Sequence, residues 1–348
     1  MSDTMRGMMY IAPGQLELRQ VPVPQVGPDD VLVKIRAATT CGTDVKTYKR
    51  GYPKLTPPNL FGHELAGDVA AVGANVKNFS VGQRVVPHNS APCGTCFYCK
   101  HDQQNMCPDL FLNWGAFADY ILVPGPIVRL NMYPIPDHLD YQQASIMEPL
   151  STVVHGQRMV QISKGETVAI IGSGGPIGLM HLQLAVRSGA SKVIAVDLKD
   201  TRLEVAKKLG ATHVINPDRE DPVEAIKELT EGRGADVTIE ATGAKIGWTN
   251  ALMGARNGGR VLWFGGLPGG TMLDVDTFKM HYGEITAIGV FHSTPLDVYT
   301  AYQLICSGVI DTKSLVTKEM PLERLEEALK AMMDGSVVKV AIKPEMKN

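Results

Sequence analysis

Net charge, aromatic rings and long apolar runs are all scarce in this chain, and each scarcity removes a class of function. A formal charge of −2 at pH 7 supplies neither the basic field that nucleic acid requires nor a polybasic patch for an anionic membrane. No apolar run approaches the roughly 20 residues of a membrane span. The opening MSDTMRGMMYIAPGQ lacks the apolar stretch of a secretory signal. Cysteine is sparse too, six in 348 residues. These absences place the protein in the cytoplasm, where thiols stay reduced and clustered cysteines signal metal more often than disulfide. No internal repeat or low-complexity tract occurs.

What is present fits a soluble enzyme. Hydrophobic content is 44% and charged content 20%, and 348 residues exceed what one hydrophobic core serves, so two domains are expected. The first 150 residues read as short strands broken by proline and glycine, among them DVLVKIRAAT and LAGDVAAVG, the texture of an irregular, mostly β domain. Beyond about residue 165, strands alternate with helices: ETVAIIG, PIGLMHLQLAVRSG, KVIAVD, TRLEVAKKLG, THVINP, PVEAIKELTEG, ADVTIEATG, GRVLWFGG and EITAIGV. That rhythm requires right-handed parallel crossovers and a doubly wound sheet. A helix at 297–307, an amphipathic helix in PLERLEEALKAMMDG and a last strand VVKVAIKP return to the first domain. The expected organisation is α/β: residues 1–150 with 293–348 form one domain, and 151–292 form an inserted nucleotide-binding domain.

Four cysteines, Cys93, Cys96, Cys99 and Cys107, fall within fifteen residues. Four thiolates at about 2.3 Å satisfy a tetrahedral zinc ion, and C-x-x-C turns aim two sulfurs at one point. With every position filled, such a zinc is structural. An iron–sulfur cluster is the chemical alternative, and free thiols in a loop are the bland one.

A second set of ligand types is dispersed. Cys41 follows a strand in ATTCGTDVKTY, with Thr43 two residues on; His63 and Glu64 sit in LFGHELAG; Glu148 lies in ASIMEPLSTVVHG. A thiolate, an imidazole and carboxylates form the mixed, incomplete set that leaves zinc an open position for a substrate oxygen. The Thr43 hydroxyl, both donor and acceptor, can pass a proton outward.

VAIIGSGGPIGLM follows a strand and opens a helix, the setting in which glycines admit a pyrophosphate to a helix N-terminus. Gly172 and Gly174 begin the pattern, Gly175 and Pro176 follow, and the closing Gly178 comes one position late. Either the turn carries an extra residue or Ser173 stands where the first glycine normally does. Asp197 ends the next strand, where its carboxylate would accept ribose hydroxyls and repel a 2′-phosphate, so NAD is expected over NADP.

Taken together, these residues resemble the zinc-containing medium-chain dehydrogenase/reductase family, nearest its polyol (sorbitol or iditol) dehydrogenase branch. The resemblance covers essentially the whole chain, through CGTD, GHELAG, VGQRV, the four-cysteine lobe, GAFADY, EPLSTVVH, GPIGLM and VDLKDTRLEVAKKLGA. It implies a GroES-like catalytic domain beside the Rossmann domain, NAD, and one catalytic plus one structural zinc per chain. Cys41, His63 and a carboxylate would hold the catalytic zinc, with Glu64 and Glu148 each matching a ligand or supporting position. Thr43 matches the relay hydroxyl, Arg202 the basic residue by the adenine end and Ile177 a residue packed on the cofactor. Gly265, Gly266 and Leu267, and Val290, Phe291 and His292, match turns near the nicotinamide. The resemblance further implies a homotetramer or homodimer, with EITAIGV pairing across a dimer.

The chain also departs from that pattern. Lys46 stands where many relatives have histidine, Thr47 where sorbitol dehydrogenases have tyrosine, and His292 where they have arginine; Trp114 is placed near the substrate cleft. The expected activity is zinc-dependent hydride transfer between a polyol or other secondary alcohol and NAD, giving the ketone. The alternatives are L-threonine 3-, butanediol or sugar-phosphate dehydrogenase activity, and a redox-silent nucleotide-binding protein. His88, His101, His138, His181, His213 and His281 are read as surface or loop residues without chemistry. Contact of His155 with the cleft is an open alternative, and Cys306 is read as a buried small hydrophobe.

Overall fold

Apolar alternation in DVLVKIRAAT produces the strand Val31–Thr39 in the computed structural model of the chain, which describes residues 3–347. That strand is central to a seven-stranded sheet ordered Met132–Pro134, Arg84–Pro87, Leu65–Val72, Val31–Thr39, Lys339–Lys343, Val316–Pro321, with Tyr120–Val123 also paired to Val31–Thr39. The last strand of the chain thus lies beside one of the first, pairing Ala341 with Thr39. A three-stranded sheet of Thr4–Ala12, Gln15–Pro22 and Asn59–Leu60 adjoins it. Phe61, Phe117, Ile35 and Val33 fill the core, joined by Leu322, Leu325 and Leu329 from the helical segment that the leucine spacing marks.

These elements form one unit, the chain to Ser151 with Ser293–Gly308 and the segment from Thr312 onward. The second unit is Thr152–His292 with Val309–Asp311. Met1, Ser2 and Asn348, which fall in the expected first domain, lie outside the described residues.

The second unit is built on six strands in the order His213–Ile215, Lys192–Val196, Thr167–Ile171, Ala235–Glu240, Ala255–Trp263, Thr286–Gly289. Every pairing is parallel. In chain order this is 3-2-1-4-5-6, the doubly wound arrangement that opens a ligand crevice beyond the carboxyl ends of the strands. Central strands such as Thr167–Ile171 are buried along nearly their whole length, because helices cover both faces of a parallel sheet.

Several elements were not expected, three of them beyond residue 240. The strand Val316–Pro321 is exposed at its polar residues Thr317, Lys318 and Glu319, so it carries no apolar period. The helix Lys245–Gly254 contains Gly247, where a Cβ would lie 2.5 Å from Thr242 Oγ1 and 2.8 Å from Glu240 Oε1. Close packing therefore keeps a poor helix former there. The short helix Thr277–Tyr282 is capped by Asp276, which accepts from the N–H groups of Phe278 and Lys279. Among the described residues, no helix is long and apolar enough to cross a membrane.

Two histidines read as surface groups are buried instead: His88 is 1% exposed and His181 0%. Cys306 errs the other way and is only half-buried. His181 lies on the helix Pro176–Arg187, edge-on to Phe264, and burial pushes its pKa down to about 3. Unfolded, it titrates near 6.5. The neutral ring therefore contributes stability that is fully present above about pH 6.5 and lost as pH falls toward the folded value. Between pH 6.5 and 5 this loss is about 2 kcal/mol. His181→Gln should flatten that acid limb, as measured by denaturant unfolding at both pH values; an unchanged slope would refute the assignment.

Candidate metal and nucleotide sites

The four-cysteine segment folds as a compact lobe. Cys96 precedes the short helix Phe97–Lys100, and a 3-10 turn at Gln104–Met106 leads into Cys107. Cys93 and Cys99 sulfurs are 3.9 Å apart, and Cys96 and Cys99 sulfurs 3.5 Å. Sulfurs at about 2.3 Å from one tetrahedral ion are roughly 3.8 Å from each other, whereas a disulfide bond is about 2.05 Å. The Cys93 N–H points at Cys107 Sγ from 3.4 Å. Backbone N–H groups of Thr95 and Cys96 pull the Cys93 thiol down to about 6, while burial and the Cys96 thiol push Cys99 up to about 12. The donor set fits a single thiophilic ion.

The dispersed set also converges, and it does so within the first unit. Cys41 caps the helix Gly42–Arg50, and Gly62, at φ 89°, turns the chain so that His63 faces it. Ligand atoms of Cys41, His63 and Glu64 all lie within 4.8 Å of one another. Glu148, from the first turn of the helix Met147–Val160, brings Oε2 to 3.9 Å from His63 Nε2. Thr43, half-buried on the first turn of the Cys41 helix, directs its N–H at Cys41 Sγ from 3.5 Å. Ligand atoms around one tetrahedral zinc are about 3.6 Å apart, so these residues fit such an ion.

Two residues that sequence reasoning passed over complete the arrangement. Asp44 accepts the Cys41 N–H at 2.9 Å and places Oδ1 3.2 Å from His63 Nδ1, a close contact off the hydrogen-bond line. It fixes the ring so that Nε2 faces Glu148. Its signal was present in CGTD: an acidic residue three positions after the cap can reach back to it. Lys339, from the last strand, is wholly buried and bridges both Glu64 oxygens, at 2.6 Å and 2.9 Å. Glu64 also accepts from the Thr39 hydroxyl.

Electrostatics separate the two glutamates. Glu64 is paired with Lys339 at 2.6 Å, whereas Glu148 lies 3.9 Å from the His63 ring, and burial together with the Glu64 charge pushes it up to about 7. Burial alone would lower His63; Asp44, Cys41 and Glu148 outweigh it and raise its pKa. Burial and Glu64 raise the Cys41 thiol. The nearer carboxylate is therefore not the freer one. Trp114 stands edge-on to His63, with ring centroids 5.3 Å apart, and edge-on to Tyr52 at 5.9 Å.

In the second unit, Gly172 takes φ 86° directly after the strand Thr167–Ile171, so it serves as the tight-turn glycine and the loop carries the extra residue. A Cβ on Gly178 would lie 2.2 Å from Gly172 O, which makes it the glycine of helix–strand approach. Gly175 caps the helix and Pro176 occupies its first turn, with Ile177 next, leaving the N-terminal N–H groups for an anion. A Cβ on Gly174 would strike Arg202 Cβ at 2.4 Å; its N–H donates to Asp197 Oδ2 at 3.0 Å, and Lys199 N–H to Oδ1 at 3.1 Å. The carboxylate is thus aimed from the strand end, with lone pairs to spare. This cradle fits a dinucleotide. Turns 265–267 and 290–292 follow the carboxyl ends of Ala255–Trp263 and Thr286–Gly289.

Glu240 is the third residue passed over. Fully buried at the end of its strand, it accepts from Thr242, Gly243 and Gly265 N–H groups at 2.6, 2.8 and 3.1 Å, tying two of the crevice loops together. His155 is buried and accepts from Arg158 at Nδ1.

Comparison with known proteins gives matches along the chain. Residues 27–137 match the alcohol dehydrogenase GroES-like domain, and residues 176–307 match the zinc-binding dehydrogenase domain. Sorbitol dehydrogenase of Bacillus subtilis is 36% identical over 95% of this chain and 94% of its own. L-threonine 3-dehydrogenase of Symbiobacterium thermophilum is 35% identical over 100% of both. A zinc-binding dehydrogenase of Sinorhizobium meliloti, solved bound to NADP, superposes with TM-score 0.92 at 32% identity, covering 99% of this chain and 100% of that one.

Proposed function

This chain belongs to the zinc-containing medium-chain dehydrogenase/reductase family, and from that premise we propose that it oxidises a polyol or related secondary alcohol with NAD. The observation that carries the reading is the convergence of the Cys41, His63 and Glu64 ligand atoms within 4.8 Å, with Glu148 Oε2 3.9 Å from His63 Nε2. Cys41, His63 and Glu148 would hold the catalytic ion, with Glu64 kept behind them by Lys339; Cys93, Cys96, Cys99 and Cys107 would hold a structural one. Zinc supplies a Lewis acid toward an alcohol oxygen, and NAD a hydride acceptor. The protein does the rest. Asp44 holds the His63 ring, and the Thr43 hydroxyl takes the alcohol proton and passes it outward. Asp197 accepts the ribose hydroxyls, Arg202 and Ile177 flank the cofactor, and Glu240 braces the loops carrying Gly265, Gly266 and Leu267.

A panel of polyols, diols, L-threonine and phosphorylated alcohols, followed as NADH absorbance, tests the reading. Turnover confined to L-threonine would favour the second reading, which the Symbiobacterium relative supports and Lys46 opposes. Asp197 beside a 2′-phosphate would cost binding through repulsion, so NAD should exceed NADP in kcat/KM by at least about tenfold. Preference for NADP would overturn the role given to Asp197. The reading includes a cytoplasmic homotetramer or homodimer, which light scattering can test.

A further inference from the structure

His88 is buried together with Ser90, Ser151 and Ser293, and all four belong to the unit that holds Glu148. Their hydrogen bonds run in one direction. Ser90 N–H meets His88 Nδ1 at 3.2 Å; a backbone N–H can only donate, so Nδ1 accepts and the ring carries its hydrogen on Nε2. That Nε2 lies 3.1 Å from Ser151 Oγ. The Ser151 hydroxyl directs its single hydrogen at the Glu148 carbonyl, 2.7 Å away. It therefore accepts from His88 and from Ser293, whose Oγ is at 2.8 Å. Both ends of the series assign the same tautomer.

The series ends on the backbone of Glu148, and its other end is firmly mounted. His88 N–H donates to Asn131 O at 2.8 Å, and Asn131 Nδ2 donates to Ser90 O at 2.8 Å. Asp44 holds the His63 ring and Lys339 holds Glu64, whereas the placement of the Glu148 carboxylate follows from the helical turn that carries it. A serine hydroxyl bonded back to a carbonyl of its own helix bends that helix. The pose of the first turn of Met147–Val160 thus depends on where Ser151 Oγ is held. We propose that His88, acting through Ser151, is the positioning residue that keeps Glu148 directed at the Cys41–His63 metal site. The inference rests on the reading that Glu148 is a ligand of that ion.

Chelator titration of the zinc-loaded protein tests it, the ion of the Cys41 site being the one that Cys41→Ser lacks. His88→Phe should weaken that ion's affinity by about 10–100-fold, the usual cost of losing an outer partner of a metal ligand, with the four-cysteine ion unchanged. His88→Gln, whose amide can still donate to Ser151 Oγ, should recover most of the loss. Ser151→Ala should reproduce the weakening, and combining it with His88→Phe should cost no more than the larger single loss, because both act through one bond. Equal weakening of the two ions, no recovery in His88→Gln, or losses that add would overturn the proposal. Where His88→Phe does not fold, Ser151→Ala decides alone: wild-type affinity at the Cys41 site would overturn it. Glu148→Ala separates this inference from the reading beneath it. Wild-type affinity there would remove Glu148 as a ligand and the inference with it, whereas a weakened Glu148→Ala beside an unaffected His88→Phe would remove only the role of His88.

Discussion

Cys41→Ser is expected to leave one zinc per chain in place of two and to lower kcat/KM by about a thousandfold or more, the scale on which losing a Lewis acid acts. The geometry makes the loss specific. Cys41 is the only thiol among the described residues of this cluster, and an alcohol titrates too high to replace a thiolate ligand. The fold should survive, because the serine oxygen can still take the N-cap role that Cys41 Sγ plays toward the Thr43 N–H. Cys99→Ser supplies the contrast: it should remove the other ion and lower thermal stability through the lobe, while the Cys41 site keeps its metal. Elemental analysis, calorimetry and NADH absorbance on the two variants check this. Two zinc ions in Cys41→Ser, or activity within tenfold of wild type, would reject the assignment.

Lys339→Met should be the most destabilising single change near the site. Its ammonium and the Glu64 carboxylate are both wholly inaccessible, and removing one partner of a buried pair strands the other charge, at a cost of about 3–5 kcal/mol. On a unit of this size the melting temperature should fall by on the order of 10 °C. Adding Glu64→Gln removes the stranded charge, so the double variant should recover at least about half of the lost stability. Additive losses in a double-mutant cycle monitored by calorimetry would show that the two groups do not stabilise each other.

Parts of this arrangement were legible because chemistry left a local trace. Cys93, Cys96, Cys99 and Cys107 lie close in sequence, so their spacing alone announces a shared ion. The glycines around Gly174 sit between a strand and a helix, and Asp197 falls at the next strand end. Cys41, His63 and Glu148 were harder, being dispersed over more than a hundred positions: pairing of Val31–Thr39 with Leu65–Val72 brings the first two together, and Glu148 arrives on the helix Met147–Val160. Lys339 was illegible for a different reason. A lysine in VVKVAIKP reads as the solvated side of an edge strand, yet this strand lies between two others, and its charge is tolerated only by Glu64, 275 residues away. Glu240 was hidden in the same way, as an acidic strand end whose donors are backbone N–H groups. His88 and His181 were misread because burial of an imidazole follows from packing that no nearby residue reveals.

The interleaving of Lys339–Lys343 between Val31–Thr39 and Val316–Pro321 has a consequence for how the protein is made. Synthesis delivers Cys41 and His63 early, but the lysine that balances Glu64 leaves the ribosome after the whole 152–292 unit. Because domains fold largely as they emerge, most of the second unit, Thr152–His292, can form while Glu64 still lacks its Lys339 partner. The Glu64 carboxylate therefore gains its ion pair only after the middle of the chain has emerged, whereas the four-cysteine lobe is complete by residue 107.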